Sequence, residues 1–209
     1  MNHHGQIIYV VDDNASTCLS LKVMLELHGF KVETFPNAAV FLAFKQRKAP
    51  SCLILDVQMP GISGLILQET MAERQLNTPI VFITGHGNIP MSVKAMRAGA
   101  IDFLTKPFTE KKMLHAIDRA MAKSKAQNKQ QTESTVIKRH IKTLSPRELE
   151  VFHYVAKGMM SKQIASKLGT VLQTIKVHRG QVMQKMQAKT VTELIHFAQR
   201  VGIPTVDKP

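Results

Sequence analysis

The stretch Ile7-Ile8-Tyr9-Val10-Val11-Asp12-Asp13 decides the reading of this chain, because a short, continuously apolar run ends abruptly on two acids. Such a run, rich in β-branched residues, fits a strand buried on both faces, as in a parallel sheet covered by helices. Similar runs follow at Lys31 to Phe35, Cys52-Leu53-Ile54-Leu55, Ile80-Val81-Phe82-Ile83 and Asp102 to Thr105. Between them lie segments with helical spacing. One carries Cys18, Leu19, Leu21, Val23, Leu25 and Leu27, and another Met91, Val93, Met96 and Ala100. Strand signals alternating with helix signals predict an α/β domain of right-handed βαβ units, with helices on both faces of a parallel sheet.

What ends each strand narrows the chemistry. The first runs into Asp12-Asp13, the third into Asp56, the fourth into Thr84-Gly85 and the fifth into Lys106-Pro107. In open parallel sheets ligands bind outside the carboxyl ends of the strands, so these side chains converge on one edge. Three carboxylates there repel one another unless a cation sits among them, and an oxygen-only site suits Mg²⁺. Lys106 supplies a compact positive charge and Thr84 a hydroxyl, a pair suited to phosphoryl oxygens. Together they make a site that can accept a phosphoryl group onto an Asp, with the metal and Lys106 stabilising the charge of the transition state.

The 209 residues carry 28 Lys+Arg against 15 Asp+Glu, a formal charge of +13, and 44% of them are apolar. Residues 1–120 hold 12 basic and 10 acidic side chains, net +2, whereas residues 121–209 hold 16 and 5, net +11. The second part is therefore expected to meet a polyanion, either nucleic acid or an anionic membrane face. The apolar content excludes a disordered tail, and the length accommodates one or two domains. An apolar run of about 18 residues is absent, and Met1 to Val11 lacks the basic and apolar regions of a signal peptide, so a cytoplasmic protein is expected. Cys18 and Cys52 lack CxxC partners, which predicts small buried thiols and neither a disulfide framework nor a zinc site.

After Thr109 the pattern predicts a helix with Met113, Leu114, Ile117, Ala120 and Met121 on one face. It runs into a Lys/Gln/Ser/Thr-rich segment, roughly Lys123 to Lys138, which is either the exposed end of a long helix or a flexible tether. From Leu144 onward the pattern is helical throughout. Ser145-Pro146-Arg147-Glu148 is a helix start, with a capping Ser, Pro at the first helical position and an acid in the first turn. Leu149, Val151, Phe152 and Val155 face inward, and the helix stops near Lys157-Gly158. A second helix opens at Ser161, with Ile164, Ala165 and Leu168 inward, and stops at Gly169. A third carries Ile175, Val177, Val182 and Met186, and a fourth runs from about Val191 to Arg200. Two short helices joined by a tight Gly-containing turn form a helix-turn-helix signature.

The motifs Val10-Val11-Asp12-Asp13-Asn14, Leu55-Asp56-Val57-Gln58-Met59-Pro60-Gly61, Thr84-Gly85-His86-Gly87-Asn88-Ile89-Pro90 and Asp102-Phe103-Leu104-Thr105-Lys106-Pro107-Phe108 resemble the receiver domain of two-component response regulators. The tail resembles the LuxR/NarL-type DNA-binding domain, and the pairing is most similar to the FixJ branch. The resemblance implies a flavodoxin/CheY-like doubly wound sheet in the order 2-1-3-4-5, followed by an all-α four-helix output domain. The expected organisation is a receiver over 1–122, a linker over 123–141 and a DNA-binding domain over 142–209. The resemblance further implies that Asp56 is phosphorylated by a sensor histidine kinase. Asp12, Asp13, Asp56 and the backbone carbonyl of Gln58 would hold Mg²⁺ or Mn²⁺, and Thr84 and Lys106 would bind the phosphoryl oxygens. Thr84, Phe103 and a cis Lys106-Pro107 bond would form the switch, with Phe103 turning inward as Thr84 moves. Gln58 and His86, two residues beyond Asp56 and Thr84, are placed to tune the lifetime of the phosphate. Enzymatic activity is expected to be limited to taking the phosphoryl group from the kinase and to slow self-dephosphorylation.

Leu144-Ser145-Pro146-Arg147-Glu148-Leu149-Glu150-Val151 and Ser161-Lys162-Gln163-Ile164-Ala165 resemble the scaffold and first helices of the output domain, and Thr174-Ile175-Lys176-Val177-His178-Arg179 its recognition helix. Lys176 and Arg179 can reach base edges or phosphates, Val177 a thymine methyl, and Lys162 a phosphate. Two departures stand out. Val171 takes a position usually capped by Ser, leaving Thr170 as the substitute cap, and Gly180 lies inside the recognition helix at a cost of roughly 1 kcal/mol relative to Ala. The family also implies that the face around Ile89 to Gly99 and Asp102 to Leu104 becomes a dimer surface on phosphorylation. Two helix-turn-helix units would then share one promoter site, with RNA polymerase as a further partner. The expected function is a phosphorylation-dependent transcription regulator, most readily an activator. The alternatives are a phosphoryl-transfer intermediate with a non-specific basic tail and a small hydrolase or nucleotide-binding enzyme on the same sheet, the latter weakened by the absence of a P-loop or dinucleotide fingerprint.

Overall fold

The structure, a computed structural model, describes residues 5–47, 49–85, 87 and 89–205. Strands β1 (Ile7–Val11), β2 (Lys31–Phe35), β3 (Ser51–Asp56), β4 (Ile80–Thr84) and β5 (Asp102–Thr105) form a parallel sheet in the order β2-β1-β3-β4-β5. Helices α1 (Ala15–Leu27), α2 (Ala38–Ala43), α3 (Gly64–Glu73) and α4 (Ile89–Arg97) connect them, and α5 (Glu110–Ile141) follows. The doubly wound order is therefore the one the resemblance implied. The order reverses at β1, whose Val10 pairs with Thr34 on one side and Ile54 on the other.

The period of two along the strands divides the core. Ile8, Val10, Ile54, Val81 and Ile83 face α1 and α5, where Leu21, Leu25, Met113 and Ile117 close the layer. Ile7, Tyr9, Leu53, Leu55 and Phe82 face α2, α3 and α4, where Phe41, Leu67, Met71 and Ala95 close the other. Cys18 and Cys52 are buried thiols. Burial pushes both up from their ordinary pKa, so neither is an exposed reactive thiolate.

Two helix faces differ from the sequence expectation. In α1, Cys18, Leu21 and Leu25 are buried, whereas Leu19, Val23 and Leu27 are exposed. The apolar residues there are too frequent for one stripe, and only those spaced by three and four reach the sheet. In α4, Ala95 is buried while Val93 and Met96 face solvent.

The chain divides into two compact units, Met1–Asn128 and Lys129–Pro209, and the division falls within α5. Residues 123–138 are helical. The second unit adds α6 (Pro146–Ala156), α7 (Ser161–Lys167), α8 (Leu172–Lys185) and α9 (Val191–Arg200) around a core of Val151, Phe152, Ile164, Ile175, Val182 and Leu194. A capping box starts α6. Ser145 Oγ accepts from Glu148 N at 3.3 Å, and Glu148 Oε2 accepts from Ser145 N at 2.7 Å. The turn between α7 and α8 passes through Gly169 at φ +60°, a left-handed conformation that suits glycine. The N-cap of α8 is Val171, with no side-chain cap, so Thr170 does not act as the substitute cap. Val177 is 51% exposed and belongs to the outer face of α8, not to its core face.

Candidate functional site

Strand topology brings two of the three sequence-predicted acids, Asp12 and Asp56, together. Asp12 follows β1 and Asp56 ends β3, adjacent strands on either side of the switch point. Lys106, just past β5, donates from Nζ to Asp12 Oδ2 and Asp56 Oδ1, both at 2.8 Å. The remaining carboxylate oxygens are held by backbone. Asn14 N donates to Asp12 Oδ1 at 2.8 Å, and Gln58 N to Asp56 Oδ2 at 2.7 Å. Lys106 N also donates to Thr84 O at 2.7 Å, which fixes the loop after β5 against the end of β4. The Lys106-Pro107 bond is cis. Thr84 is buried, Gln58 and Asp13 face solvent, and His86 lies outside the described residues. Phe103 is half-buried, its ring 6.1 Å from that of Phe82.

The electrostatics are those of a crowded acidic edge. Burial raises the Asp56 carboxyl above its usual range, and the neighbouring Asp12 adds to that; Lys106 and Gln58 N oppose it without overcoming it. For Lys106, burial acts to lower the ammonium's pKa, but the bonds to Asp12 and Asp56 outweigh it and the net direction is up. Asp12 and Asp56 share the single ammonium of Lys106, and both are carboxylate oxygen donors. Hard oxygen donors of this kind suit a divalent ion such as Mg²⁺. Among the described residues, no group of three or more His, Cys, Asp or Glu side chains is placed to hold a metal ion; Lys106 pairs with both Asp12 and Asp56, and Asp13 is exposed.

One residue of this site escaped sequence reasoning. Gly64, the first residue of α3, donates from its N–H to Val57 O at 3.0 Å, and a Cβ there would collide with the Asp56 carbonyl oxygen. The glycine lets the start of α3 close against the strand that carries Asp56. No local periodicity announces such a contact.

In the second unit, Lys176 and Val177 are exposed on α8 and Lys162 on α7, while Thr174 is half-buried. Arg179 is half-buried and turns back to donate to Met159 O at 3.4 Å. His178 is half-buried too, and its Nδ1 has no hydrogen-bond partner among the described residues. The exposed surface of α8 also includes Gln173, Gln181 and Gln184, which the sequence reading did not single out. Lys185 reaches from α8 to the buried Glu148 of α6 at 2.7 Å, which ties these helices together.

Residues 8–118 match the family model described as response regulator receiver domain, and residues 142–198 match that of the bacterial regulatory proteins, luxR family. The chain belongs to the response regulators. Nodulation protein W of Bradyrhizobium diazoefficiens is 41% identical over 94% of this chain and 87% of its own length. The transcriptional regulatory protein FixJ of Rhizobium meliloti is 38% identical over 93% and 96%. The solved structure of the response regulator StyR, 39% identical, covers 94% of this chain and 99% of its own with a TM-score of 0.80. A receiver joined to a LuxR-type DNA-binding domain implies that this response regulator acts in transcription regulation. Receiver domains generally bind Mg²⁺ at the acidic pocket. Among the described residues no helix of the regulator is long and apolar enough to cross a membrane.

Proposed function

We propose that Asp56 is the phosphoacceptor through which a sensor histidine kinase controls promoter binding by this regulator. The observation that carries this reading is the buried Asp56 carboxylate, bridged to Asp12 by Lys106 at the switch point of the sheet. A carboxylate oxygen of Asp56 attacks the phosphorus of the kinase phosphohistidine; the new O–P bond forms as the P–N bond breaks and the imidazole leaves. Lys106 already lies at Asp56 Oδ1 and is placed to follow the phosphoryl oxygens, and the Thr84 hydroxyl ends the neighbouring strand. Asp12, Asp13, Asp56 and the Gln58 carbonyl would hold Mg²⁺. When bound, this ion supplies charge to offset that of the phosphoryl oxygens.

The change then passes to α4 and β5 through Thr84, Phe103 and Pro107. Ile89, Val93 and Met96 are exposed on α4, 80%, 42% and 42% respectively, and an apolar surface of this kind suits a phosphorylation-dependent homodimer. Dimerisation places two output domains, residues 142–209, on one promoter site, with segment 123–141 joining each to its receiver, residues 1–122. Lys176 and Val177 read bases, Lys162 holds a phosphate, and the consequence is activation of transcription with RNA polymerase in the cytoplasm. Gln58, exposed beside Asp56, orients the water that hydrolyses the aspartyl phosphate, so Gln58→Ala should slow dephosphorylation. An unchanged rate would remove Gln58 from that role.

The decisive experiment treats the full chain with acetyl phosphate and Mg²⁺ and follows mass, oligomeric state and selection of genomic fragments. Phosphorylation, a dimer and a preferred duplex are expected together, and Asp56→Asn should lose all three. A phosphorylated chain that stays monomeric and selects no duplex would favour a phosphoryl-transfer intermediate instead.

A further inference from the structure

The outer face of α8 is a stripe at helical spacing, in which Gln173, Lys176, Val177, Gly180, Gln181 and Gln184 all face solvent. The opposite face buries Ile175 and Val182. The sequence of α8 holds no acid, and its charges are Lys176, Arg179 and Lys185. Gly180 stands in the middle of the exposed stripe, one turn beyond Lys176.

A mid-helix glycine sacrifices helix propensity, and a protein carries such a local cost where something needs the missing side chain. The two reasons internal to a fold are a left-handed φ and a close approach of neighbouring atoms. Neither holds for Gly180. Its backbone is not among the positive-φ glycines, and a Cβ placed on it meets no atom of the described residues within 4 Å. The space that a side chain would take is open and lies on the exposed side of α8, where a partner would sit. The stripe's polarity, its lack of acids and the net charge of +11 on residues 121–209 select a polyanion as the partner.

We propose that Gly180 is a seat where a DNA strand lies directly against the α8 backbone, kept open by the absent side chain, with Lys176 and Gln184 one turn to either side. This rests on the DNA-binding reading above and sharpens it. Binding and stability then pull in opposite directions at one residue. A side chain at 180 strengthens the helix and lifts it off the DNA.

The test uses full-length Gly180→Ala and Gly180→Leu beside wild type and Lys176→Ala. It measures melting of the second unit and affinity for the duplex that the phosphorylated wild type selects. Gly180→Ala should raise the melting temperature by about 4–8 °C. Gly180→Leu should weaken binding by about tenfold, and Gly180→Ala by less. Affinities within about twofold of wild type for both variants would overturn the proposal and leave Gly180 a tolerated weakness. A lower melting temperature for Gly180→Ala would also overturn it, because the glycine would then serve the fold. If wild type and Lys176→Ala alike show no preferred duplex, the DNA-binding reading itself fails and this proposal with it. A Gly180 failure alone leaves wild-type selection and the Lys176→Ala loss intact.

Discussion

Asp56 in the first unit and Glu148 in the second are both buried, 5% and 3% exposed, and both meet a lysine ammonium at hydrogen-bond distance. Their surroundings nonetheless shift them in opposite directions. Asp56 shares Lys106 with Asp12, and burial holds its carboxyl above the usual range. Glu148 has Lys185 to itself and also accepts from Ser145 N at 2.7 Å; the lysine first, then the backbone N–H, holds its carboxyl below the usual range. A buried acid with too little positive charge around it is a receptive site, whereas one that is fully matched is a clamp. The Glu148 clamp joins the start of α6 to the end of α8 and so holds the two helices together.

Replacing each acid should break the comparison most sharply. Asp56→Asn should abolish labelling by a small phosphodonor, while Glu148→Gln should leave labelling intact, as read by intact-protein mass. Label retained on Asp56→Asn at the wild-type level would place the acceptor elsewhere. The next largest effect concerns the clamp. Lys185→Met should destabilise the second unit by about 2 kcal/mol, below the ~3–5 kcal/mol of a fully buried pair, because the Lys185 side chain is 40% exposed. Denaturant unfolding of the full chain, with a probe in the second unit, measures it. A double Lys185→Met/Glu148→Gln variant should lose less than the two single losses added, since the groups act on each other.

Much of the receptive site was legible in the sequence, and little of the clamp was. Asp12, Asp56, Thr84 and Lys106 each follow or end a β-branched run, and a parallel sheet brings such strand ends to one edge whatever the loops do. Strands β1, β3 and β4 were legible because residues buried on both faces leave a nearly continuous apolar run. Helix faces were less so. Leu19, Val23 and Leu27 are apolar yet exposed, and composition alone did not separate them from Cys18, Leu21 and Leu25. Lys185 lies 37 residues from Glu148, and the contact of Gly64 with the Asp56 carbonyl depends on a loop that folds back. Pairings of that kind are set by tertiary packing and leave no period in the chain.

Acid should weaken the clamp. The folded pKa of Glu148 is depressed, so its contribution is fully present above the unfolded value near 4.5 and is lost as pH falls through the lower folded value. The cost of Glu148→Gln should therefore be full at pH 7 and shrink progressively below about pH 4.5. Thermal melts of the variant and wild type across that range test this, and a difference that stays constant down to strong acid would contradict the assigned pairing.

The smallest effect expected is a gain of stability. The folded pKa of Asp56 is raised, so ionised Asp56 opposes folding of the first unit, and the opposition is present above the folded pKa. Asp56→Asn removes one of two neighbouring carboxylates and leaves Lys106 to Asp12 alone. The first unit should gain about 1 kcal/mol at pH 7. That advantage should fade as pH falls through the raised pKa toward 3.8, where wild-type Asp56 is itself protonated. The two acids thus predict pH dependences of opposite sign in one chain. A loss of stability in Asp56→Asn at pH 7 would mean that Lys106 satisfies both carboxylates, and the first unit would then hold a clamp like the second.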